Sequence, residues 1–323
     1  MPKTTSTASE DARQPSLGGH LAICRFDHWF KNVFVLPGII AALAMDESTR
    51  NWSVLSNALI GLFAIGLVAS SNYTINEILD AANDREHPEK RHRPVPSGRV
   101  SLPLGYLQWI LLFLLGLAVG ALVSWPFTLT LAALWIMGCI YNIPPLRSKE
   151  LPFLDVLSES INNPIRMLAG WFIAGSTLIA PTSLLLSYWM FGCFFMALKR
   201  YAEYRSIADP ERAARYRRSF VYYNEGRLLS SVVVYACAAC LLFGAFLMRY
   251  QLELVLAFPF IAWVAGEYFN LGLMDDSPVQ APEHLYRQSR LMLAVTTCTL
   301  VIGALLFIEL PILHSLFRQS VAH

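Results

Sequence analysis

Residues 53–84 decide the fold. Ser53-Val-Leu-Ser-Asn-Ala-Leu-Ile-Gly-Leu-Phe-Ala-Ile-Gly-Leu-Val-Ala-Ser-Ser-Asn-Tyr-Thr-Ile75 runs without a charge into Asn76-Glu77-Ile78-Leu79-Asp80-Ala81-Ala82-Asn83-Asp84. The first part has the length that a bilayer core demands of a helix. The second keeps the helix going but turns it acidic, and Arg85, His87, Pro88, Lys90, Arg91, Arg93 and Pro94 follow at once. Prolines there stop the helix and fix a loop.

Apolar segments of this kind recur along the 323 residues, of which 55% are hydrophobic and 15% charged. We read nine: about 29–45, 53–75, 104–124, 126–142, 153–174, 182–200, 228–248, 252–272 and 291–314. They are too long and too uniformly apolar for barrel strands. The expected class is an all-α integral membrane protein, a bundle of about nine transmembrane helices. A polar, Ser/Thr-rich stretch is expected as a mobile tail over 1–24, one transmembrane domain over 25–315, and a short tail over 316–323. The first twenty residues lack the apolar core of a secretory signal.

Charge placement supports the odd number of crossings. With the amino terminus and alternate loops on one side, that side holds 21 of the 25 basic residues. The other holds Arg50, Arg249 and Arg318, and Arg166 falls inside a segment. Basic loops lie in the cytoplasm, so the amino terminus and the Asn76–Arg93 region are expected there, in a multi-pass protein of the cell (inner) membrane. The six cysteines are scattered, mostly in apolar segments, and read as packing residues; Cys237 and Cys240 form a C-x-x-C without a second pair.

Asn76, Asp80 and Asp84 are spaced by four and share one stripe of a helix, with Glu77 beside them. Hard oxygen ligands at a helix end suit Mg2+ that is shared with substrate phosphates. Lys90 and Arg93 just beyond can contact phosphate oxygens. The positive-inside bias would place basic residues in this loop without any ligand. Further along, Tyr141 and Lys149 flank the next cytoplasmic loop. Asp155 and Glu159 open the fifth segment, with Arg166 two turns further in; an ion pair and a substrate contact are equally open for that arginine. Lys199, Arg200 and Glu203 end the sixth segment, where Lys199 and Glu203 have salt-bridge spacing. Arg212 to Arg218 among aromatics suggest an amphipathic surface helix within 206–227.

The run Asn76-Glu77-x-x-Asp80-x-x-x-Asp84 resembles the first Asp-rich motif of the UbiA superfamily of intramembrane prenyltransferases, and the resemblance extends from about residue 25 to 300. Within it, the polyprenyl-phosphate (decaprenyl-phosphate) phosphoribosyltransferase branch is the more similar. Its H-P-x-K-x-x-R-P-x-x-x-G is matched by His87, Pro88, Lys90, Arg93, Pro94 and Gly98. Its W-x-K-N is Trp29, Lys31 and Asn32; its D-V with R-x-x-A-G is Asp155, Val156, Arg166, Ala169 and Gly170; its K-R-x-x-E is Lys199, Arg200 and Glu203. Conventional prenyltransferases end the sixth helix with a second pair of aspartates. Glu77 stands for the usual Asp, Phe26 for a frequent Pro, and Ser289 for an acidic residue.

The resemblance implies a cytoplasmic-facing cavity and Mg2+ as cofactor, with Asn76, Glu77, Asp80 and Asp84 as metal ligands. It implies phosphoribosyl pyrophosphate and a membrane polyprenyl phosphate as substrates, in a pathway of cell wall biosynthesis. Asp80, Asp84, Lys199 and Glu203 would be catalytic. Lys31, Asn32, His87, Lys90, Arg93, Tyr141, Lys149, Asp155, Arg166 and Arg200 would bind substrate. The alternatives are isoprenyl transfer from a diphosphate to an aromatic or other acceptor, and a lipid transporter or scaffold without turnover. Ionisable residues gathered at one face speak against transport.

Overall fold

The computed structural model describes residues 14–86, 90–207 and 209–317. Every regular element among them is helical. In chain order these are α1 (Leu17–Ala22), α2 (Leu36–Met45), α3 (Ser53–Glu86), α4 (Leu102–Gly120), α5 (Trp125–Asn142), α6 (Leu154–Ser160) and α7 (Asn162–Ile173). Then follow α8 (Thr182–Ile207), α9 (Pro210–Tyr216), α10 (Glu225–Tyr250), α11 (Phe258–Gly272), α12 (Ser289–Leu305) and α13 (Pro311–Leu316).

Among the described residues, six stretches are long and apolar enough to cross a membrane: Leu17–Met45, Ser53–Glu86, Leu102–Gly120, Thr182–Ile207, Glu225–Tyr250 and Leu252–Gly272. The other three expected segments are helical but fall short of that standard of length or apolarity. Segment 153–174 is broken between α6 and α7, where Asn162-Asn163-Pro164 restarts the helix. Segment 291–314 divides at Pro311, the first residue of α13. Part of the expected amino-terminal tail is ordered. Ser16 caps α1 by accepting from Gly19 N, and His20 meets the Gln108 amide of α4 at 2.9 Å. The expected surface helix within 206–227 is not continuous: Asp209 and Pro210 start the short α9, and a 3-10 turn, Arg218–Tyr222, completes the segment.

α3, at 34 residues, reaches from the apolar layer to the polar face. Its outer side shows Leu55, Leu59 and Phe63, the lipid-facing surface of a membrane helix. Its inner side buries Ser70, Ser71 and Thr74. Ser70 Oγ accepts from Trp29 Nε1 at 3.0 Å and donates to Cys24 O, and Asn72 Nδ2 donates to Leu134 O. Polar side chains in an apolar layer need such partners, so these bonds set how the preceding 3-10 segment, Phe26–Val35, and α5 lie against α3.

Elsewhere small residues set the packing. A Cβ on Gly38 would lie 1.8 Å from Met167 O, and one on Gly170 would lie 2.0 Å from Val35 O. α2 and α7 therefore cross backbone to backbone, and this draws Phe26–Val35 onto the turn that carries Arg166. One apolar core gathers α2, α3, α5 and α7. A second gathers α8, α10 and α11. Asp80, Asn142 and Arg200 lie toward the polar ends of α3, α5 and α8.

Candidate active site

Asn76, Asp80 and Asp84 do share a stripe, and each is met from outside α3. Lys149 Nζ donates to both Asp80 oxygens, at 2.6 and 2.7 Å, and Arg147 Nη2 donates to Asp80 Oδ1 at 2.9 Å. Arg93 Nη1 donates to Asp84 Oδ2 at 2.8 Å. Asn76 Nδ2 donates to Asp80 Oδ2 at 3.3 Å and to Asn142 Oδ1 at 2.5 Å. Asn142 Oδ1 also accepts from Lys149 at 3.1 Å. The loop after α5 is thus folded back onto α3, with Arg147 in a left-handed conformation (φ 31°) at its turn.

Glu77 does not join the stripe. It is 3% exposed, and its Oε1 accepts from Val95 N at 2.9 Å. One residue past Asn76 is a turn of about 100° around the helix, which aims this carboxylate at the 90–100 loop instead. Lys90 is half-buried with its ammonium over the Tyr216 ring, 5.7 Å from the centroid. Burial pushes its pKa below the ordinary lysine value, with the carboxylate of Asp84 opposing. Lys149 is lowered likewise, burial outweighing the nearby Asp80. His87 lies outside the described residues.

Arg200 was expected at substrate, and the structure makes it a buried hub. It is 2% exposed; its Nε donates to Asp155 Oδ2 at 3.1 Å, Nη2 to Glu159 at 2.5 Å and Nη1 to Glu203 at 2.9 Å. Three carboxylates saturate its fork, which leaves little to offer a phosphate. Asp155, fully buried, also accepts from Tyr223 OH at 2.6 Å and Ser219 Oγ at 3.3 Å. It is a structural acceptor rather than a substrate contact. Tyr141 OH donates to Glu159 at 3.0 Å and accepts from Arg217 Nη2 at 3.4 Å. Lys199 approaches Glu203 at 3.8 Å, as their spacing suggested.

Arg166 makes no ion pair among the described residues, because Arg200 holds both carboxylates that were its candidate partners. Lys31 has Glu159, Lys199, Arg166 and Arg25 as its charged neighbours. Sequence reasoning missed Asn142, Arg217 and Tyr223. A polar residue ending an apolar helix could have marked Asn142, but nothing local distinguishes Arg217 from its neighbouring arginines.

The stripe offers two carboxylates and an amide oxygen, a hard donor set, each carboxylate already beside a cation. The residues would fit a divalent ion. With an ion on these carboxylates, Lys149, Arg147 and Arg93 would be available to phosphate oxygens. Among the described residues, no three His, Cys, Asp or Glu side chains converge to hold an ion unaided.

Comparison with known proteins gives the family. The family model of the UbiA prenyltransferase family matches residues 34–296. A decaprenyl-phosphate phosphoribosyltransferase of Corynebacterium glutamicum is 31% identical over 231 residues, 69% of this chain and 66% of that protein. One of Mycolicibacterium smegmatis is 32% identical over 248 residues, 71% and 73% of the two chains. The chain thus aligns with about two thirds to three quarters of these relatives' length. In fold, it is similar to a UbiA homolog from Archaeoglobus fulgidus solved with DMAPP and Mg2+, at TM-score 0.67 and 20% identity over 88% of this chain and 99% of that one. With the family model matching 34–296 and several helices apolar enough to span a bilayer, the chain belongs to the UbiA prenyltransferase family and is a multi-pass membrane transferase.

Proposed function

We propose that this protein transfers 5-phosphoribosyl from phosphoribosyl pyrophosphate to a polyprenyl phosphate, with Mg2+ as cofactor. The observation that carries this reading is the pairing of each stripe carboxylate with a cation, Asp80 with Lys149 and Arg147, and Asp84 with Arg93. The last third of α8 carries no pair of aspartates; Lys199-Arg200 and a single Glu203 stand there. A phosphate-rich donor is the substrate that such a cation-lined, carboxylate-bearing end favours. The two bacterial relatives named for decaprenyl phosphate support the choice of acceptor.

Asp80, Asp84 and the Asn76 amide would hold the ion. Bound there, Mg2+ would help offset the charge that grows on the departing pyrophosphate. Lys149, Arg147 and Arg93 bind donor phosphates, and Asn142 orients Lys149. An oxygen of the acceptor phosphate attacks C1 of the ribose, the C1–O bond to pyrophosphate breaks, and pyrophosphate leaves with the electron pair. The acceptor is already anionic, so no strong base is needed. Glu77 braces the 90–100 loop. Residues 25–315 act as one transferase domain crossing the inner membrane nine times. The stripe faces the cytoplasm, as the basic-residue asymmetry favours.

The test uses purified protein in detergent with Mg2+. Pyrophosphate release that needs phosphoribosyl pyrophosphate and decaprenyl phosphate together supports the reading. Release from geranyl diphosphate with an aromatic or other isoprenyl acceptor, and none from the first pair, replaces it with conventional prenyl transfer.

A further inference from the structure

Arg25, Lys31 and Arg166 share one neighbourhood, and none of the three has a carboxylate partner in an ion pair among the described residues. Tyr73 sits at its centre. Arg25 lies over the Tyr73 ring, 5.9 Å from the centroid, and Arg166 has Tyr73 and Tyr188 among its neighbours. Arg166 and Arg25 are among the charges nearest Lys31. Arg166 is 9% exposed, its Nε has no partner, and its one hydrogen bond is a 3.5 Å contact from Nη1 to Asn162 O. Arg25 is bonded to His28. An arginine inside a membrane segment costs about 2.5–3.5 kcal/mol even on the mildest scales. Such a group is normally paired or bound to something. Of the carboxylates nearby, Glu159 is held by Arg200 and Tyr141, and Asp27 faces His28 at 3.3 Å.

An apolar groove of about 350 Å³ adjoins this cation cluster, lined by Trp29, Asn32, Val33, Leu36, Leu62 and Phe63. Val33, Leu36 and Phe63 are exposed on the lipid-facing side. Asn32 belongs to the groove and follows Lys31 directly. It is 5% exposed, and its Oδ1 has no partner. An amide held open at that point can turn either its donor or its acceptor to a ligand. An apolar groove open to the bilayer therefore ends at three cations without a carboxylate partner among the described residues and at an unsatisfied amide.

We propose that Arg25, Lys31 and Arg166 form a second anion subsite that takes the phosphate of the lipid acceptor, with the first isoprene units in the Trp29–Phe63 groove. The inference rests on the transferase reading above and adds to it a division of labour. A phosphate monoester carries a charge of about −1.5 to −2 at neutral pH, and the cluster supplies the opposing charge with two guanidinium forks. Tyr73 lies seven residues before Asp80 on α3, about 10 Å along the helix. Acceptor phosphate at the cluster and donor pyrophosphate at the stripe would lie on either side of the ribose. The lipid arrives sideways from the membrane, and the soluble donor comes from the polar face.

The test is binding, measured by calorimetry on the full-length protein in detergent, without Mg2+ or phosphoribosyl pyrophosphate. The probes are farnesyl phosphate, farnesol and inorganic phosphate. Farnesyl phosphate is expected to bind more tightly than either of the others. Arg166→Gln and Arg25→Gln should each weaken it by about tenfold or more, the scale of a lost hydrogen bond to a charged group. Farnesol binding should not change. Arg166→Lys should recover part of the loss, which a merely structural role would not produce. If Arg166→Gln fails to run as a single species on gel filtration, Arg25→Gln decides. Wild-type affinity for farnesyl phosphate in the variants overturns the proposal. So does inorganic phosphate binding as tightly as farnesyl phosphate, which would make this a free-phosphate site. Arginine-dependent farnesyl phosphate binding in a protein that shows no phosphoribosyl transfer would remove the donor assignment and leave the subsite standing. Transfer activity with arginine-independent binding would do the reverse.

Discussion

Lys149 Nζ lies 2.6 and 2.7 Å from the two carboxylate oxygens of Asp80, across 69 residues of sequence. The contact joins the loop after α5 to the acidic stripe of α3 and makes the two a single unit. Asp80→Asn should therefore lower pyrophosphate release by about 100-fold or more, the scale seen when a preorganised electrostatic contact is removed. The protein should remain monodisperse in detergent. Wild-type turnover in that variant would remove the stripe from the mechanism.

The same lysine predicts an alkaline limit. Burial lowers the Lys149 pKa below its ordinary value of 10.5, so its charge is lost as pH rises through that lowered value. If the charged form holds donor phosphate, turnover falls on the alkaline side before a free lysine would titrate. Lys149→Arg should move that limb upward, because a guanidinium stays charged throughout. A pH–rate profile that is flat to pH 10 in the wild type would contradict the assignment.

Glu77 and Asp80 should behave differently although they are three residues apart. Glu77→Ala leaves Val95 N–H buried without its acceptor, a cost of about 1–3 kcal/mol. Glu77→Gln keeps an acceptor oxygen and should retain most activity. A lower thermal midpoint for the alanine variant, with near-normal turnover for the glutamine variant, is the expected pair of results.

Removing Arg200 strands a carboxylate. In Arg200→Leu, Glu159 loses its ion pair and Asp155 keeps the longer one to Arg217 at 3.7 Å, and breaking a buried pair costs about 3–5 kcal/mol. Poor recovery of folded protein is expected, rather than a folded enzyme with weak substrate binding. A well-folded Arg200→Leu protein with a raised KM for donor would return this residue to the substrate site.

On the opposite side, Asp46 ties two loops together. Its Oδ2 accepts from Ser176 Oγ at 2.6 Å, and its Oδ1 accepts from Ser48 N at 3.1 Å and Ser48 Oγ at 2.6 Å. These bonds, that of Ser176 foremost, hold the carboxyl below its ordinary pKa of 3.8. A depressed carboxyl adds stability that is present above pH 4 and lost as pH falls through the lowered value. The thermal midpoints of wild type and Asp46→Ala should thus differ most near neutrality and converge in acid.

The helices, their apolar faces and the stripe of Asn76, Asp80 and Asp84 were legible from local pattern, because length, hydropathy and a spacing of four act within one segment. Ion-pair partners were not legible in the same way. Asp155, Glu159 and Glu203 carry no local mark that all three belong to Arg200, and Arg166 reads as well for pairing as for solitude until Arg200 is seen to take its candidates. Glu77 shows the boundary at its narrowest: spacing puts it beside the stripe, and one residue of helical rotation turns it to Val95.

By itself, the sequence determined an all-helical membrane chain with an acidic helix end next to a basic loop. Those features depend on interactions within a turn or two and on the solvent each segment can tolerate. The tertiary structure decided which charges are satisfied and which are left for a ligand. That outcome depends on contacts between residues far apart in the chain, such as Gly38 with Met167 and Lys149 with Asp80, whose close approach follows from packing the helices together.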